Sequence, residues 1–476
     1  MKAQNPDGSA ETVRLWSLTE ETAVETGDDD SLVVVTWWRE HDLHHVPGAV
    51  RDSLHRMALG PVSMANLAAA AGSGPPGLDE VLDRLTGAVV HSLALTDGRG
   101  PIVSAVPARQ APRFRVAELG MDRPVKLSRF AAFRSADGSL VLESPLAGYR
   151  VLLTDVSSVR VATALAAATT PRGVAAATGV PPHITADVLA YLVAAGVVLV
   201  ADAEAEFAED HDPELAAWCH DDLMFHTRSR TWQRTGEPPA TGRDPASGGP
   251  PIVKRGSGGP VVPLARPDVA ELTAGGPALA ALQEVDHHCP AFSGRTLTGE
   301  QIGEFLFRSA RVRSVGPGHL PGGLSHEASQ RPYFSVAGLY ELEIYLTVNR
   351  CSGLVRGIHH YDPLDHALTL VNDDEEDVAQ MLDMAMIAGG GRRRPSALLN
   401  VTARVARTGW VLGSAAYATT LMHVGALQQT LYLNARAMGL EAHALPVDAA
   451  DRVDRALKLE WPAEVGVGEC ALDFPD

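Results

Sequence analysis

Alternation of apolar and polar residues marks ELEIYLTVN (341–349) as a strand. Leu342, Ile344, Leu346 and Val348 face one way, and Glu343, Tyr345 and Thr347 the other. HHYDPLDHALTLV (359–371) reads as strand, turn, strand. A helical period governs LTGEQIGEFLFRSARVR (297–313), where Ile302, Phe305, Leu306 and Ala310 share one side. The longest helix runs through AAYATTLMHVGALQQTLYLNARAMGL and ends at Gly439, with a stripe of Leu421, Val424, Gln428, Leu431, Ala435 and Met438. Gly425 in its middle costs about 1 kcal/mol of helix propensity. It is expected to sit against another backbone, at a helix crossing, or against a flat ligand.

The first 210 residues contain a weak internal echo. LDEVLDRLTGAVVHSLAL (Leu78–Leu95) and ITADVLAYLVAAGVVLVAD (Ile184–Asp202) each begin as a helix and pass through Gly87 or Gly196 into a β-branched strand. MANLAAAAG precedes the first and VATALAAATTPRGVAAATGV the second, both helix-rich. FRSADGSLVLESPLAGYRVLL between them predicts a hairpin turning at Asp137-Gly138. Helices followed by short strands predict two winged-helix-like units in tandem. Few basic residues stand where a recognition helix would lie, which points to protein interaction or bracing rather than DNA.

A chain of 476 residues accommodates two or three domains. Residues 236–260 hold seven Gly and six Pro, the composition of a linker or a long ordered arm. The expected division is therefore a tandem N-terminal region over 1–210, a connecting arm over 211–268 and a second domain over 269–476. The net charge of −18 opposes binding to nucleic acid and to anionic lipid. Cys219, Cys289, Cys351 and Cys470 lie far apart with no CxxC, as expected of reduced thiols. MKAQNPDGSAETVRLW lacks a signal pattern and no apolar run reaches membrane-spanning length, so a cytoplasmic protein is expected.

FHTRSR (225–230), PPIVKRGSGGPVVPLARPD (250–268), QIGEFLFRSARVR (301–313), RPYFSVAGLYELEIYL (331–346), GIHHYDPLDHALTLV (357–371) and the long helix with its MGL end carry a resemblance. In their order and spacing, residues 220–476 resemble a SagB-type dehydrogenase of the nitroreductase-like flavoproteins. The N-terminal tandem is similar to the region that precedes the flavin domain in longer members. The resemblance implies an α+β fold, nitroreductase-like in the C-terminal half, that binds FMN at a dimer interface. It implies oxidation of azoline rings to azoles on a precursor peptide, beside a cyclodehydratase or a second flavoprotein subunit. It makes Tyr340 the candidate base. FMN contacts are expected from Arg228, Ser229, Arg230, Ser335, Gly338, Arg407 and Gln429, and no metal is expected.

Several positions depart from the family pattern. Leu339 stands where many azoline oxidases carry lysine. The phosphate-gripping Arg-Arg-Ser-x-Arg slot falls on Asp286, His287, His288, Cys289 and Pro290, a poor cradle for a group of charge near −2. In RTGWVLGSAAYATTLMHVGALQQT, Arg407, Trp410, Tyr417, Gly425 and Gln429 match, whereas Val411, Ala415, Ala418 and Ala426 do not. Arg228 and Arg230 are candidates to compensate, unless they pair with Asp221 or Asp222; Arg404 and Arg407, one helical turn apart, are others. Residues 313–333, with His319, His326, Glu327 and Arg331, form either a lid or substrate wall or a surface loop. The lost cations keep a second reading open, a degenerate subunit without its own flavin chemistry that serves as scaffold or partner.

Overall fold

The strand in ELEIYLTVN is present as Leu342–Val348, the middle member of a seven-stranded sheet. The computed structural model describes residues 11–26, 31–36, 39–67, 74–98, 100–108, 111–136, 138–229, 250–254, 256, 258–285, 292–293, 295–319, 325–391, 393–446 and 451–475. The sheet order is Val261–Pro263, Ala367–Asn372, Gly357–Asp362, Leu342–Val348, Ala397–Arg404, Glu464–Asp473 and Glu441–Leu445, each neighbouring pair antiparallel. Two compact units divide the described chain, one up to Arg228 and one from Ser229 onward. The sheet belongs to the second. Its edge strand Val261–Pro263 follows directly on the Gly/Pro-rich stretch, whose last residue, Pro260, already accepts the Leu370 N–H, so the described end of that stretch is an ordered arm.

Both faces of the sheet are covered. Leu342, Ile344, Leu346 and Val348 share a core with Ile302, Phe305 and Leu306 of the helix Gly299–Ala310 and with Val424, Leu427 and Leu431 of the long helix. Tyr345 points to the other face, against Val378, Met381, Leu382 and Ala385 of Glu375–Ala388. Alternation foretold two faces but not that Glu343 and Thr347 are buried as well. A buried carboxylate needs partners, and these belong to the site described below.

Local signals explain the helix ends. Thr298 Oγ1 accepts the Gln301 N–H at 3.1 Å and Gln301 Oε1 accepts the Thr298 N–H at 3.0 Å, a reciprocal box that starts Gly299–Ala310. The long helix spans Ala416–Ala437, and Gly439 follows it with φ +66°, letting the Leu440 N–H return to the Ala435 carbonyl. Its buried stripe differs from the expected one. Leu421 is exposed, while Thr420, His423, Val424, Leu427, Leu431 and Ala435 face inward. The apolar pattern concealed this because a histidine occupies an inward position. Residues 313–333 are not a bare loop: Ser314–His319 and Ser325–Gln330 pair as an antiparallel hairpin, with 320–324 outside the described residues.

The first unit holds a six-stranded sheet and the helices Val156–Thr163, Pro171–Thr178 and Pro182–Ala195. Val161, Val174, Val188 and Leu192 join its core. Asp155 and Thr170 cap the first two helices with their side-chain oxygens. The expected hairpin is present as Ala132–Ala136 and Ser139–Glu143, with Gly138 at φ +74° and Asp137 outside the described residues. Both helix-to-strand passages exist, but their strands diverge. Val89–Leu95 lies inside the six-stranded sheet, whereas among the described residues Val198–Val200 pairs only with Val125–Leu127. The two halves of the echo are therefore not copies of one arrangement. Among the described residues, no helix is long and apolar enough to cross a membrane. Cys219, Cys351 and Cys470 carry no disulfide, and Cys289 lies outside the described residues.

Gly425 is exposed, and among the described residues no atom beyond its chain neighbours and its own helix backbone lies within 4 Å of where its Cβ would stand. Gly425→Ala is therefore expected to stabilise the protein by about 1 kcal/mol in a denaturant titration. A destabilised variant would show that something outside this chain packs on that face.

Candidate functional site

Between the hairpin and the middle strand, the chain passes through Ser335–Tyr340 in an unusual backbone state. Ala337, Gly338 and Tyr340 have φ of +52°, +67° and +44°. Left-handed geometry suits glycine but costs a side-chain-bearing residue roughly 1–2 kcal/mol. Gly338 is required twice over, since a Cβ there would also stand 3.0 Å from the Ser329 carbonyl oxygen. Such a turn persists only if its surroundings over-determine it, and clusters of strain of this kind mark functional sites.

Buried side chains supply that determination. Ser335 Oγ accepts the Tyr340 N–H at 3.0 Å. The Tyr340 hydroxyl donates to the Tyr333 carbonyl at 2.8 Å and accepts the Arg331 N–H at 3.1 Å. His326 Nε2 donates to the Ala337 carbonyl at 2.9 Å. His423 Nε2 accepts the Val336 N–H at 2.9 Å, so Nδ1 carries the ring proton and donates to Glu341 at 2.8 Å. Glu341 and His423 are wholly buried. Arg407, also fully buried, donates from Nε to the Leu339 carbonyl at 2.7 Å and from its two Nη atoms to the carbonyls of Pro250 and Glu327. One guanidinium thus ties together the turn, the hairpin and the arm. Burial first, and then the neighbouring Arg404 charge, draws Arg407 down to about 10.

A polar layer continues from the turn along the sheet. Arg404 Nε lies 2.7 Å from Glu343 Oε1, close but not aligned as a hydrogen bond, and His360 Nε2 lies 3.1 Å from Oε2. Burial alone would push the Glu343 carboxyl up. The His360 hydrogen bond and the Arg404 charge, with His360 and Arg331 adding, outweigh it and hold the group below the usual carboxylate range. Lys254 of the arm donates to the Tyr345 hydroxyl at 2.5 Å and to Glu464, whose other oxygen accepts from Thr402 Oγ1 at 2.5 Å. Burial, then the charges of Glu464 and Glu343, push the Tyr345 phenol up.

Of the residues expected at the site, Tyr340, Ser335, Gly338 and Arg407 come together here. Gln429 is exposed on the long helix. Arg228 belongs to the first unit, where it pairs with Glu143. Ser229 ends the helix His220–Ser229, and Arg230 lies outside the described residues, as do Asp286 to Pro290. Glu341, His423 and Arg331 were not anticipated in these roles. A histidine on an otherwise apolar helical face and an acid directly after Tyr340 were the available signals. The fit to an FMN phosphate is poor in this arrangement. Each nitrogen of Arg407 already donates to a carbonyl, and Arg228 forms an ion pair in the other unit.

Comparison with known proteins gives matches over parts of the chain. The profile of the cyanobactin oxidase ThcOx matches residues 125–235, which takes in the three helices of the first unit and not the seven-stranded sheet. A Methanocaldococcus jannaschii protein named as a candidate nitroreductase is 27% identical over 141 residues, 29% of this chain and 70% of that protein. Among solved structures, a candidate nitroreductase from Anabaena variabilis aligns at 19% identity over 52% of this chain and 46% of that one, with a TM-score of 0.37. Another from Ralstonia eutropha aligns at 20% identity over 49% and 98%, with a TM-score of 0.35. The Escherichia coli microcin synthetase McbBCD complex with truncated pro-MccB17 bound aligns at 17% identity over 45% and 84%, with a TM-score of 0.33. This chain thus spans less than half of the Anabaena protein. It is similar to a nitroreductase-type protein over part of its length and to the cyanobactin oxidase family over residues 125–235.

Proposed function

We propose that the chain is an FMN-dependent oxidoreductase of ribosomal peptide modification, oxidising azoline rings to azoles on a precursor peptide. The observation that carries this reading is the match of residues 125–235 to the cyanobactin oxidase family. The partial identity to a nitroreductase-type protein and the SagB-type motifs support it. Aromatising an azoline removes a proton and a hydride, two electrons in all, so an electron acceptor is needed, and FMN is the acceptor this reading names. The acting form is a dimer that works beside a cyclodehydratase or a second flavoprotein subunit. The three helices and paired short strands of the first unit support a winged-helix-like role in holding partners. Substrate is placed at the turn Ser335–Tyr340, where strain and buried polar groups concentrate.

A second reading, a nitroreductase-like subunit without its own flavin chemistry, is favoured by one observation. Arg407 is bound to three carbonyls and not held ready for an anion.

Purified protein decides between them. The enzyme reading expects a yellow protein that releases FMN on denaturation; a colourless protein that gains no FMN on titration overturns it. Tyr340→Phe is expected to slow azoline oxidation about tenfold or more with flavin retained. The same change is expected to cost about 1–3 kcal/mol in a denaturant titration, because the Tyr333 carbonyl and Arg331 N–H lose a buried partner. Stability lost with turnover unchanged would make Tyr340 a holder of the turn and not a base.

A further inference from the structure

The arm meets the sheet through an uncommon contact. Three consecutive carbonyls, those of Pro250, Pro251 and Ile252, accept from three different arginines. Arg407 donates to Pro250, Arg404 donates to Pro251 at 2.7 Å and to Ile252 at 3.1 Å, and Arg331 donates to Ile252 at 3.0 Å. Arg331 and Arg407 are almost wholly buried. Among the described residues, neither has a carboxylate within ion-pair distance; Glu343 pairs with Arg404 and His360 and acts on Arg331 only through its charge, Glu327 and Glu341 act likewise on Arg407, and Glu464 answers Lys254. Among the described residues, the Nε atom of Arg331 is buried with no hydrogen-bond partner, while that of Arg404 faces Glu343 in an ion pair without an aligned hydrogen bond. Clustered guanidiniums under neutral carbonyls are poorly compensated, since removing cations from water is costly without an opposite charge. A phosphate monoester would supply that charge and accept from several guanidiniums at once.

We propose that Pro250–Lys254 is an autoinhibitory plug occupying a three-arginine anion site, so that the plug and a phosphate monoester compete for Arg331, Arg404 and Arg407. Neutral carbonyls win this site because the plug is anchored elsewhere. Lys254 reaches Tyr345 and Glu464, Ile252 is buried, and Val261–Pro263 is paired with the sheet. An intramolecular occupant at high effective concentration outcompetes a stronger but dilute one. Displacing the plug frees a donor on each arginine while the Leu339 and Glu327 carbonyls retain Arg407. Only the natural ligand's identity as FMN rests on the flavin reading; the competition itself is open to inorganic phosphate.

Gly259 offers a way to loosen the plug without touching an arginine. A Cβ there would stand 2.0 Å from the Leu370 carbonyl oxygen, a backbone atom that cannot step aside. Lys254→Met removes a second, independent anchor. Calorimetric affinities for inorganic phosphate, FMN and riboflavin are compared across the wild type, Gly259→Ala and Lys254→Met. Hydrogen exchange at Ile252, Val253 and Lys254 reports whether the plug is docked. A plug docked about nine-tenths of the time lowers apparent affinity about tenfold, so both variants are expected to bind phosphate about tenfold more tightly. Phosphate is expected to raise exchange at Ile252–Lys254 in the wild type, and Arg404→Gln to abolish the gain. Phosphate that binds the wild type while Ile252–Lys254 stays protected overturns the proposal. So does a released plug in either variant with no gain in phosphate affinity. Riboflavin binding without that gain refutes the plug and leaves the flavin reading standing. A phosphate gain with FMN binding no better than phosphate does the reverse.

Discussion

A single buried cation organises the second unit. Arg407 sits at the start of the helix Val405–Leu412 and donates to the turn, the hairpin and the arm, three segments far apart in sequence. Nothing apolar could replace it, because each of those carbonyls would then be buried without a donor. Its cost is that of holding a charge away from water, visible in the downward pull that burial exerts on it. The positive-φ residues of the turn are tolerable because this guanidinium, together with Tyr340, Ser335 and His423, leaves the backbone no alternative.

The same economy explains the sheet's two faces. One is a conventional apolar core against two helices. On the other, Glu343, Glu464, Thr402, Tyr345 and His360 form a polar layer beside the apolar cluster around Tyr345. Polar layers of this kind specify one register, because a one-residue slip would carry carboxylates into the apolar core. Here the layer is completed from outside the sheet, by Lys254 and by the carbonyls that meet the arginines. The arm is therefore part of the sheet's electrostatic design and not a tether laid over it.

Periodicity was enough to find the central strand, the amphipathic helix from Gly299 and the end of the long helix at Gly439, all set by local rules. It misjudged the inward face of the long helix because His423 counts as polar until Glu341 is known to face it. Tyr340, Ser335, Gly338 and Arg407 were legible as a group, yet their geometry was not. Which acceptors a guanidinium meets depends on chain segments separated by as many as 157 residues. The glycines and prolines of 250–260 left a linker and an ordered arm both open, and Gly259 stands where only a hydrogen fits beneath Leu370.

The edge strand Val261–Pro263 carries one more implication. It caps the row of backbone donors and acceptors on Ala367–Thr369, and the pairing runs on at both ends, where the Pro260 carbonyl accepts the Leu370 N–H at 2.9 Å and the Leu264 N–H donates to the His366 carbonyl at 3.0 Å. Were the whole arm to detach, that row would lie bare as a template for any passing strand, and self-association into fibrous or amorphous material would follow. Movement of the arm must therefore stop short of Val261, which makes these three residues a guard on solubility as well as a margin of the fold.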